Sequence, residues 1–425
     1  MTAHRHRGFE RPWAGLHAAK VGASRSRALS AIAIAATLLA GGPSIAQVAP
    51  GGGQPAGASA EPGSNFVPSA YDWRLPAWAP APLEPKSNPT TQEKVELGRR
   101  LFYDGRLAAD SMRSCASCHT QERAFSDISP VSWGVTGQQT ARNTMALSNV
   151  GYAPVLTWAN PQVRTLEVQA LTPMFGQHPI EMGMMGLEDE LLTRLRTEPS
   201  YPALFAKAFP EAGGALSLDL ITKAIAAFER TLISVRSPYD RFRQEGERSA
   251  ISAAAIRGEA LFFGPRLNCG ACHGGLHLGG GDRSSRNPAG EPAFHNTGLY
   301  NLDGNGAYPP QNIGSAANTG RPEDVGRFKT PSLRNIAVTA PYMHDGSIAT
   351  LDGVIDHYAA GGRTITVGAM NAGAGRDSPL KSPLVAGFTL TLQERTDLIA
   401  FLQSLTDDRF LTDPRHSNPW KQGAN

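Results

Sequence analysis

Apolar residues recur at helical spacing in two segments, each near the end of one half of the chain. The first segment carries a stripe of six such residues: Leu220, Ile221, Ala224, Ile225, Phe228 and Leu232. The second begins with a capping box, Thr391 with Glu394, and continues with Leu398, Ile399, Leu402 and Leu405. This periodicity predicts two amphipathic helices, each with one face packed on a core.

A shorter pattern also occurs twice. Gly98-Arg99-Arg100-Leu101-Phe102 and Gly258-Glu259-Ala260-Leu261-Phe262 each follow a capping residue, Thr90 or Thr91 in the first copy and Ser252 in the second. Both copies predict a helix with Leu-Phe on its packing face. Long Gly-, Pro- and Asn-rich stretches, such as 279–326, predict loops. We therefore expect an all-α fold of two domains, 71–245 and 246–410, with long loops and a tail, 411–425.

The N-terminal segment indicates export. Arg25 and Arg27 precede an apolar run, 28–40, which is too short to span a bilayer and is followed by a small-x-small cleavage site that ends at Ala46. This arrangement predicts a signal peptide, 1–46, and a periplasmic location. Residues 47–70 are rich in Gly, Pro, Ala and Ser, a composition that predicts a flexible leader.

The charge balance gives no indication of nucleic-acid binding. The whole chain has 40 Lys and Arg against 37 Asp and Glu, but the signal peptide contains six of the basic residues and one of the acidic ones. The mature chain therefore has a net charge of −2, so its basic character belongs to the part that is removed. Neither a nucleic-acid partner nor a membrane span is expected.

All four cysteines lie in two copies of Cys-x-x-Cys-His, at 115–119 and 269–273. Two thiols at this spacing can each bond a vinyl group of haem, while the next imidazole binds the iron. A four-cysteine zinc site or two thioredoxin-like redox pairs would use the same thiols, but neither explains a histidine after both pairs. We expect two covalent haem c groups, held by Cys115, Cys118, Cys269 and Cys272, with His119 and His273 as iron ligands. With a helix before each haem motif and a packing helix at the end of each half, the two expected domains are cytochrome c-like.

Further motifs occur in order around these two sites. They are Arg142-Asn143-Thr144, Trp158, Leu166-Glu167-Val168-Gln169-Ala170-Leu171-Thr172-Pro173, Pro179-Ile180-Glu181-Met182-Gly183, Thr330-Pro331-Ser332-Leu333-Arg334-Asn335 and Ala340-Pro341-Tyr342-Met343-His344-Asp345-Gly346-Ser347. From about residue 85 to 405, the chain resembles the bacterial di-haem cytochrome c peroxidase family, which includes MauG. The resemblance implies that the N-terminal haem reacts with hydrogen peroxide and that the C-terminal haem supplies an electron from a distance.

At the first haem, the resemblance makes Glu181 the distal acid that moves a proton during peroxide cleavage, with Gln169 and Pro173 walling the pocket. A solvated loop acid at Glu181 and simple helix packing at Gln169 are the alternatives. The family's peroxidases carry a distal histidine soon after this motif, but here no histidine lies between His119 and His178. The first iron is therefore expected to be five-coordinate, unless a sulfur from Met145, Met174, Met182, Met184 or Met185 binds it.

At the second haem, Tyr358 occupies the position where the family's peroxidases have methionine. Leu351, Val354, Ile355 and Tyr358 share one helical stripe, and His357 falls about 100° away from it. Tyr358 is therefore expected to face inward and His357 outward, with a core tyrosine as the alternative to an iron ligand. A phenolate favours oxidised iron, as in MauG and in the methanobactin-associated di-haem enzymes, which oxidise a tryptophan on a partner protein. The Gly361-Gly362-Arg363 continuation and the expanded region 174–186 favour the latter subgroup.

Two further roles follow from the resemblance. Trp158 is the expected electron relay between the haems, although the chain reads Trp158-Ala159-Asn160 where the family usually has Trp-Asp-Gly, and an ordinary buried tryptophan is the alternative. A calcium ion is expected between the domains, bound by the Asn143 side chain and the carbonyl oxygens of Thr339 and Pro341, with waters completing its shell.

Three functions are compatible with these residues. The first is an enzyme that uses hydrogen peroxide to oxidise a tyrosine or tryptophan of a periplasmic partner protein. The second is a conventional cytochrome c peroxidase that removes peroxide with electrons from a small redox protein, and the third is a di-haem electron carrier. A carrier requires two six-coordinate irons, so the missing distal histidine favours an enzyme.

Overall fold

A computed structural model describes residues 66–421; the predicted signal peptide and nearly all of the predicted leader lie outside this range. The described residues form one compact unit, and the predicted division into two domains stays a prediction. The described helices are α1 Gln92–Phe102, α2 Leu166–Gln169, α3 Leu171–Phe175, α4 Glu188–Thr197, α5 Tyr201–Ala208, α6 Leu218–Arg230, α7 Pro238–Gln244, α8 Ala253–Phe263, α9 Ala316–Thr319, α10 Leu351–Ala359, α11 Leu392–Gln403 and α12 Asp408–Thr412.

The expectation of a helical fold with long loops is confirmed, with one addition. Two small antiparallel sheets occur in the C-terminal half, each of two strands. The strands are β1 Phe294–Asn296, paired with β2 Arg327–Lys329, and β3 Thr364–Ile365, paired with β4 Gly373–Ala374. They are too short to give the alternating pattern by which strands are recognised in a sequence.

The two amphipathic helices and the two repeated Gly-x-x-Leu-Phe segments pack against each other in pairs. In the N-terminal half α1 crosses α6 at Gly98, where an added Cβ would lie 1.9 Å from the carbonyl oxygen of Ala224. In the C-terminal half α8 crosses α11 at Gly258, where an added Cβ would lie 2.0 Å from the carbonyl oxygen of Asp397. Only glycine permits such close approach of two helix backbones, so the repeated glycine marks the same crossing in both halves.

The helix starts follow the predicted caps. Thr91, rather than Thr90, accepts the backbone N–H of Lys94 at the start of α1, and Ser252 accepts that of Ala255 at the start of α8. Thr391 and Glu394 form the predicted capping box at the start of α11. Each cap satisfies backbone donors that the first helical turn leaves free.

The described part of the predicted C-terminal tail, residues 411–421, packs on the folded core around the first Cys-x-x-Cys-His motif. Arg99 on α1 donates to the carbonyl oxygen of Pro414 at 3.0 Å, and the Tyr103 hydroxyl donates to that of His416 at 2.8 Å. Phe410 on α12 packs against Phe125, with ring centroids 5.8 Å apart. Within residues 66–421 there is no helix long and apolar enough to cross a membrane.

Candidate functional site

Both Cys-x-x-Cys-His motifs fold in the same way. Each begins with a short 3-10 turn, Cys115–Ser117 or Cys269–Ala271, and the histidine follows the second cysteine. The Nδ1 atom of His119 lies 2.7 Å from the carbonyl oxygen of Phe125, and that of His273 lies 3.0 Å from the carbonyl oxygen of Leu278. Because a carbonyl only accepts, each Nδ1 carries the hydrogen, which leaves Nε2 with a free lone pair for a metal.

The loops after the histidines are shaped to make these contacts. Phe125 has a φ of 62° and Leu278 a φ of 52°, both in the left-handed region that side chains other than glycine rarely adopt. Burial lowers the pKa of both imidazoles, that of His273 to about 4, so both rings are neutral. Neutral imidazoles with a fixed tautomer are prepared for iron ligation.

A buried ion pair secures the second of these loops. Arg334 Nη1 lies 2.5 and 2.6 Å from the two carboxylate oxygens of Asp240, and both side chains are buried. Arg334 Nη2 also donates to the carbonyl oxygen of Leu276, at 2.5 Å, inside the loop that follows His273. The arginine therefore ties the histidine loop to the start of the C-terminal half through charge-assisted hydrogen bonds.

The first motif opens onto a cavity of about 60 Å³. Its lining combines the covalent attachment residues with the predicted pocket residues: Cys115, Cys118, His119, Gln169, Pro173 and Glu181. His119 is the only histidine among its described lining residues. Met174 and Met182 also line it, whereas Met184 is buried in a neighbouring apolar cluster and Met185 is exposed.

Glu181 lies on a segment that backbone hydrogen bonds fix from two sides. Its carbonyl oxygen accepts the N–H of Val135 at 2.8 Å, and the next residue, Met182, donates its N–H to the carbonyl oxygen of Pro173 at 2.9 Å. Burial raises the pKa of the Glu181 carboxyl group. A carboxyl group in a cavity with this shift differs from the solvated loop acid that was the alternative.

The second motif opens onto a larger cavity, of about 340 Å³, lined by Cys269, Cys272, His273 and Tyr358. Tyr358 is on α10, which Thr350 caps, and burial raises the pKa of its hydroxyl group. The expectation that His357 faces outward is wrong. It is 5% exposed, and neither ring nitrogen has a hydrogen-bond partner among the described residues, but it does not line the cavity.

Three further residues that could bind a metal line the second cavity, namely His295, Met343 and His344. His344 is buried and stacks on Phe328, with ring centroids 3.6 Å apart and planes at 11°. Sequence reasoning did not single out these residues as ligands. Met343 and His344 belong to the 340–347 motif, which the sequence analysis used only as evidence of the family resemblance.

A third cavity, of about 120 Å³, lies between the other two. Leu147 lines both this middle cavity and the first one, and Trp158 lines both the middle cavity and the second one. Trp158 Nε1 donates to the carbonyl oxygen of Asn143 at 2.8 Å, and its own carbonyl oxygen accepts the N–H of Lys329 at 2.8 Å. The indole is therefore held in one orientation beside the second cavity, on the side that faces the first.

The three residues expected to bind calcium all line the middle cavity: Asn143, Thr339 and Pro341. The Asn143 amide nitrogen donates to the carbonyl oxygens of Ser129 and Pro130, at 3.3 and 3.1 Å. That arrangement leaves the amide oxygen as an acceptor, which suits a hard cation. In the described part of the chain no cluster of three or more His, Cys, Asp or Glu side chains could hold a metal ion.

The residues around both motifs fit covalent haem. All four thiols are free, each pair adjoins a cavity, and each neighbouring imidazole has its Nε2 available. Lys329 is 7% exposed and lines both the middle and the second cavity. Its buried ammonium group, with a pKa lowered to about 8 by burial, is well placed to pair with a carboxylate such as a haem propionate.

Sequence comparison gives three concordant similarities. Residues 92–249 match the family described as di-haem cytochrome c peroxidase. The cytochrome-c peroxidase IdrP1 of Denitromonas iodatirespirans is 34% identical, over 83% of this chain and 91% of its own length. The methylamine utilization protein MauG of Methylophilus methylotrophus is also 34% identical, over 80% of this chain and 90% of its own length.

Structural comparison agrees. A MauG-like protein associated with microbial copper homeostasis is 48% identical, with a TM-score of 0.80 over 83% of this chain and 100% of its own. The diheme peroxidase BthA of Burkholderia thailandensis E264, at 22% identity and a TM-score of 0.56, covers 79% of this chain and 92% of its own and shares the fold. The chain therefore belongs to the di-haem cytochrome c peroxidase family, which includes MauG, and is an oxidoreductase with haem c cofactors.

Proposed function

We propose that this protein is a periplasmic oxidoreductase that reacts with hydrogen peroxide at an N-terminal haem. Through a C-terminal haem ligated by Tyr358 it oxidises a tryptophan or tyrosine of a partner protein. The observation that carries this proposal is the lining of the first cavity, which includes the half-buried Glu181, with a pKa raised by burial, and which has His119 as the only histidine among the described residues. A distal acid without a second nitrogen ligand suits a site that binds a small molecule. When bound, the haem supplies an iron that accepts peroxide and an oxidising equivalent for the partner.

Glu181 would move the proton at this site. Because burial raises its pKa, the carboxylate is a stronger base than a solvated glutamate, and it can take a proton from the inner peroxide oxygen and return it to the outer one. Gln169 and Pro173 line the same cavity, so they would orient the peroxide and restrict water. The backbone hydrogen bonds on both sides of Glu181 support a fixed carboxyl position.

Tyr358 and Trp158 would serve the second half of the reaction. A phenolate is an anionic oxygen donor and stabilises oxidised iron. Since burial raises the pKa of the Tyr358 hydroxyl, its deprotonation would depend on the charge of a bound metal. Trp158, which lines the second cavity and the middle cavity, would pass the electron between the two sites, so that the partner need not reach the first cavity.

The proposed partner class rests on the family resemblance, and a structural similarity supports it. One similar protein is a MauG-like protein associated with microbial copper homeostasis, and we propose that this chain belongs to the methanobactin-associated subgroup of di-haem enzymes. The partner would be a small exported protein with an accessible tryptophan.

A calcium ion at Asn143, Thr339 and Pro341 would stiffen the region between the two haem sites, with modest affinity because neutral protein oxygens are its ligands.

The second candidate is a conventional peroxidase that takes electrons from a small redox protein. Met343 and His344, two of the three further residues that line the second cavity and could bind a metal, favour this candidate, because either as iron ligand would give the second haem the higher potential that such an enzyme uses. A pure electron carrier is less consistent with the first cavity, because a carrier requires two six-coordinate irons and His119 is the only histidine among the described residues that line this cavity.

The test combines a spectrum with an analysis of the product. Ferric holoprotein should have a high-spin band from the first haem, and treatment with hydrogen peroxide and the candidate partner should add oxygen to a partner tryptophan, or oxidise a tyrosine, as read by mass spectrometry. Glu181→Gln is the matched negative control. Rapid turnover with reduced cytochrome c and no modified residue would replace the proposal with the conventional peroxidase, and a wholly low-spin spectrum would favour the carrier.

A further inference from the structure

The first cavity contains a second acid, Glu229, for which the peroxide chemistry has no use. Glu229 is on α6, one turn after Ile225, and both line the cavity together with Cys115 and His119. Its side chain is buried, with 5% of the residue exposed. Burying a carboxyl group at this depth is costly unless the group is paired or stays protonated.

Glu229 is not paired. Its Oε2 atom is buried and has no hydrogen-bond partner within residues 66–421. The neighbouring Arg230 instead donates to Glu167 on α2, at 2.8 Å, and Glu167 also accepts a hydrogen bond from Asn88. Helix α6 also packs against α1 at Gly98, and this glycine has no charged side chain that could pair with Glu229.

The charges around Glu229 leave it neutral near physiological pH. Burial raises the pKa of its carboxyl group to about 8, with Arg230 lowering it and Glu167 raising it. Arg113, His119 and Glu181 are the other charged or titratable side chains that line the cavity beside the two cysteines. A carboxyl group in this range can lose its proton in response to one additional positive charge nearby.

Beyond the effect of burial, Glu229 acts electrostatically on the Cys115 thiol, whose pKa it raises more than Glu181 does, and Glu181 acts on Cys118 as well. Glu229 and Cys115 line the same cavity, so the carboxyl group is in the cavity to which the haem would be attached.

We propose that Glu229 is the redox-linked proton group of the haem in the first cavity. When one electron leaves that haem for an external acceptor, the Glu229 carboxyl group releases one proton to solvent. When the electron returns, the carboxylate takes one proton back. The net charge inside the cavity is then the same in both oxidation states. Trp133 also lines the cavity and is half exposed, so the released proton would reach solvent on that side.

The physical reason is the low dielectric of a buried site. An uncompensated charge there is far more costly than in water, so oxidation of the haem favours the ionised carboxylate. The pKa of Glu229 is therefore lower beside oxidised haem than beside reduced haem. At pH values between these two pKa values, the midpoint potential of the haem falls as pH rises. Each tenfold change in proton concentration shifts a one-proton, one-electron equilibrium tenfold, or by about 59 mV.

The experiment is a redox titration of holoprotein over the neutral pH range, which follows the first haem by its high-spin absorption. The wild type should show a potential that falls with pH by up to about 59 mV per unit, and Glu229→Gln should abolish most of this slope. Glu229→Asp keeps a carboxyl group and should retain the slope with a shifted window, so it also serves if the glutamine variant folds poorly. Glu122→Gln, an exposed acid near the same motif, should leave the slope unchanged.

A second readout is the redox difference infrared spectrum, in which the carbonyl band of a protonated carboxylic acid should disappear on oxidation in the wild type and be absent in Glu229→Gln. The inference is overturned if Glu229→Gln keeps both the slope and the band, or if Glu181→Gln alone removes them. It rests on haem in the first cavity but not on peroxide turnover, so failure of the proposed partner oxidation would leave this result standing.

Discussion

Replacement of Glu181 by glutamine is the sharpest test of the first cavity. Glutamine has the same shape as glutamate, and the hydrogen bonds that hold this segment use backbone atoms of residues 181 and 182 with Val135 and Pro173. The variant should therefore fold, attach both haems and keep its resting spectrum. What it loses is a group that can accept and return a proton.

The size of the loss follows from the role. General acid–base catalysis contributes about 10² to 10⁴-fold, so the reaction with peroxide should slow by about 10²-fold or more, or at least about 2.7 kcal/mol of activation free energy. A pH dependence should change as well. Glu181 must be ionised to act as a base, and burial raises its pKa, so the wild-type rate should fall with acidity at a higher pH than a solvated glutamate would give. The glutamine variant should lack this acid limb.

Stopped-flow mixing of ferric protein with peroxide measures both effects. Asp189→Asn, an exposed acid at the start of α4, is the control and should react like the wild type. If Glu181→Gln reacts at the wild-type rate and keeps the acid limb, Glu181 has no part in proton transfer and the reasoning from its burial is refuted.

Three further outcomes are expected. Tyr358→Met should raise the potential of the second haem in a redox titration, because a phenolate favours oxidised iron; an unchanged potential would mean that Tyr358 is a core residue. Trp158→Phe should leave peroxide binding intact but end charge sharing between the haems, and persistence of that sharing in the near-infrared spectrum would exclude the indole as relay. Asp240→Asn should lower the free energy of unfolding by about 3 kcal/mol or more, since it leaves Arg334 buried without its charge partner; chemical denaturation with no such loss would count against the pairing.

Local signals made the helical framework predictable from sequence. The stripe on α6, the capping box at Thr391 and the repeated Gly-x-x-Leu-Phe segments each act within a few residues, and the structure has a helix at every one of them. The reason why Gly98 and Gly258 must be glycine could not be predicted, because each packs against a helix more than a hundred positions away in the sequence. The packing of the residues around Pro414 could not be predicted for the same reason. Arg99 and Pro414 are 315 positions apart, and hydrophobic periodicity does not predict a contact over that distance.

Only those parts of the site could be predicted that follow from covalent haem attachment or from family motifs. The spacing of the cysteines indicated haem attachment, and the motif around Glu181 indicated a pocket acid. His357 was expected outside the core because it lies off the apolar stripe of α10, but a buried helix can have neighbours on several faces, and this histidine is buried. Sequence reasoning missed Glu229 because an acid beside the apolar stripe of a predicted helix is typical of the solvent-facing side of that helix.

The two halves hold the histidine of each Cys-x-x-Cys-His motif in the same way and differ in the other residues that line each cavity. In both, a carbonyl from a left-handed residue, Phe125 or Leu278, fixes Nδ1 of the histidine. The first cavity is lined by two acids, Glu181 and Glu229, and the second by Tyr358. With haem bound at both sites as proposed, the two histidine ligands would be hydrogen-bonded alike, so differences in reactivity would come mainly from these other residues. Under the proposed function, the acids beside the first haem would exchange protons as its charge changes, and Tyr358 would hold the second haem oxidised. Peroxide reduction and electron withdrawal from a partner would then occur at different sites of one molecule.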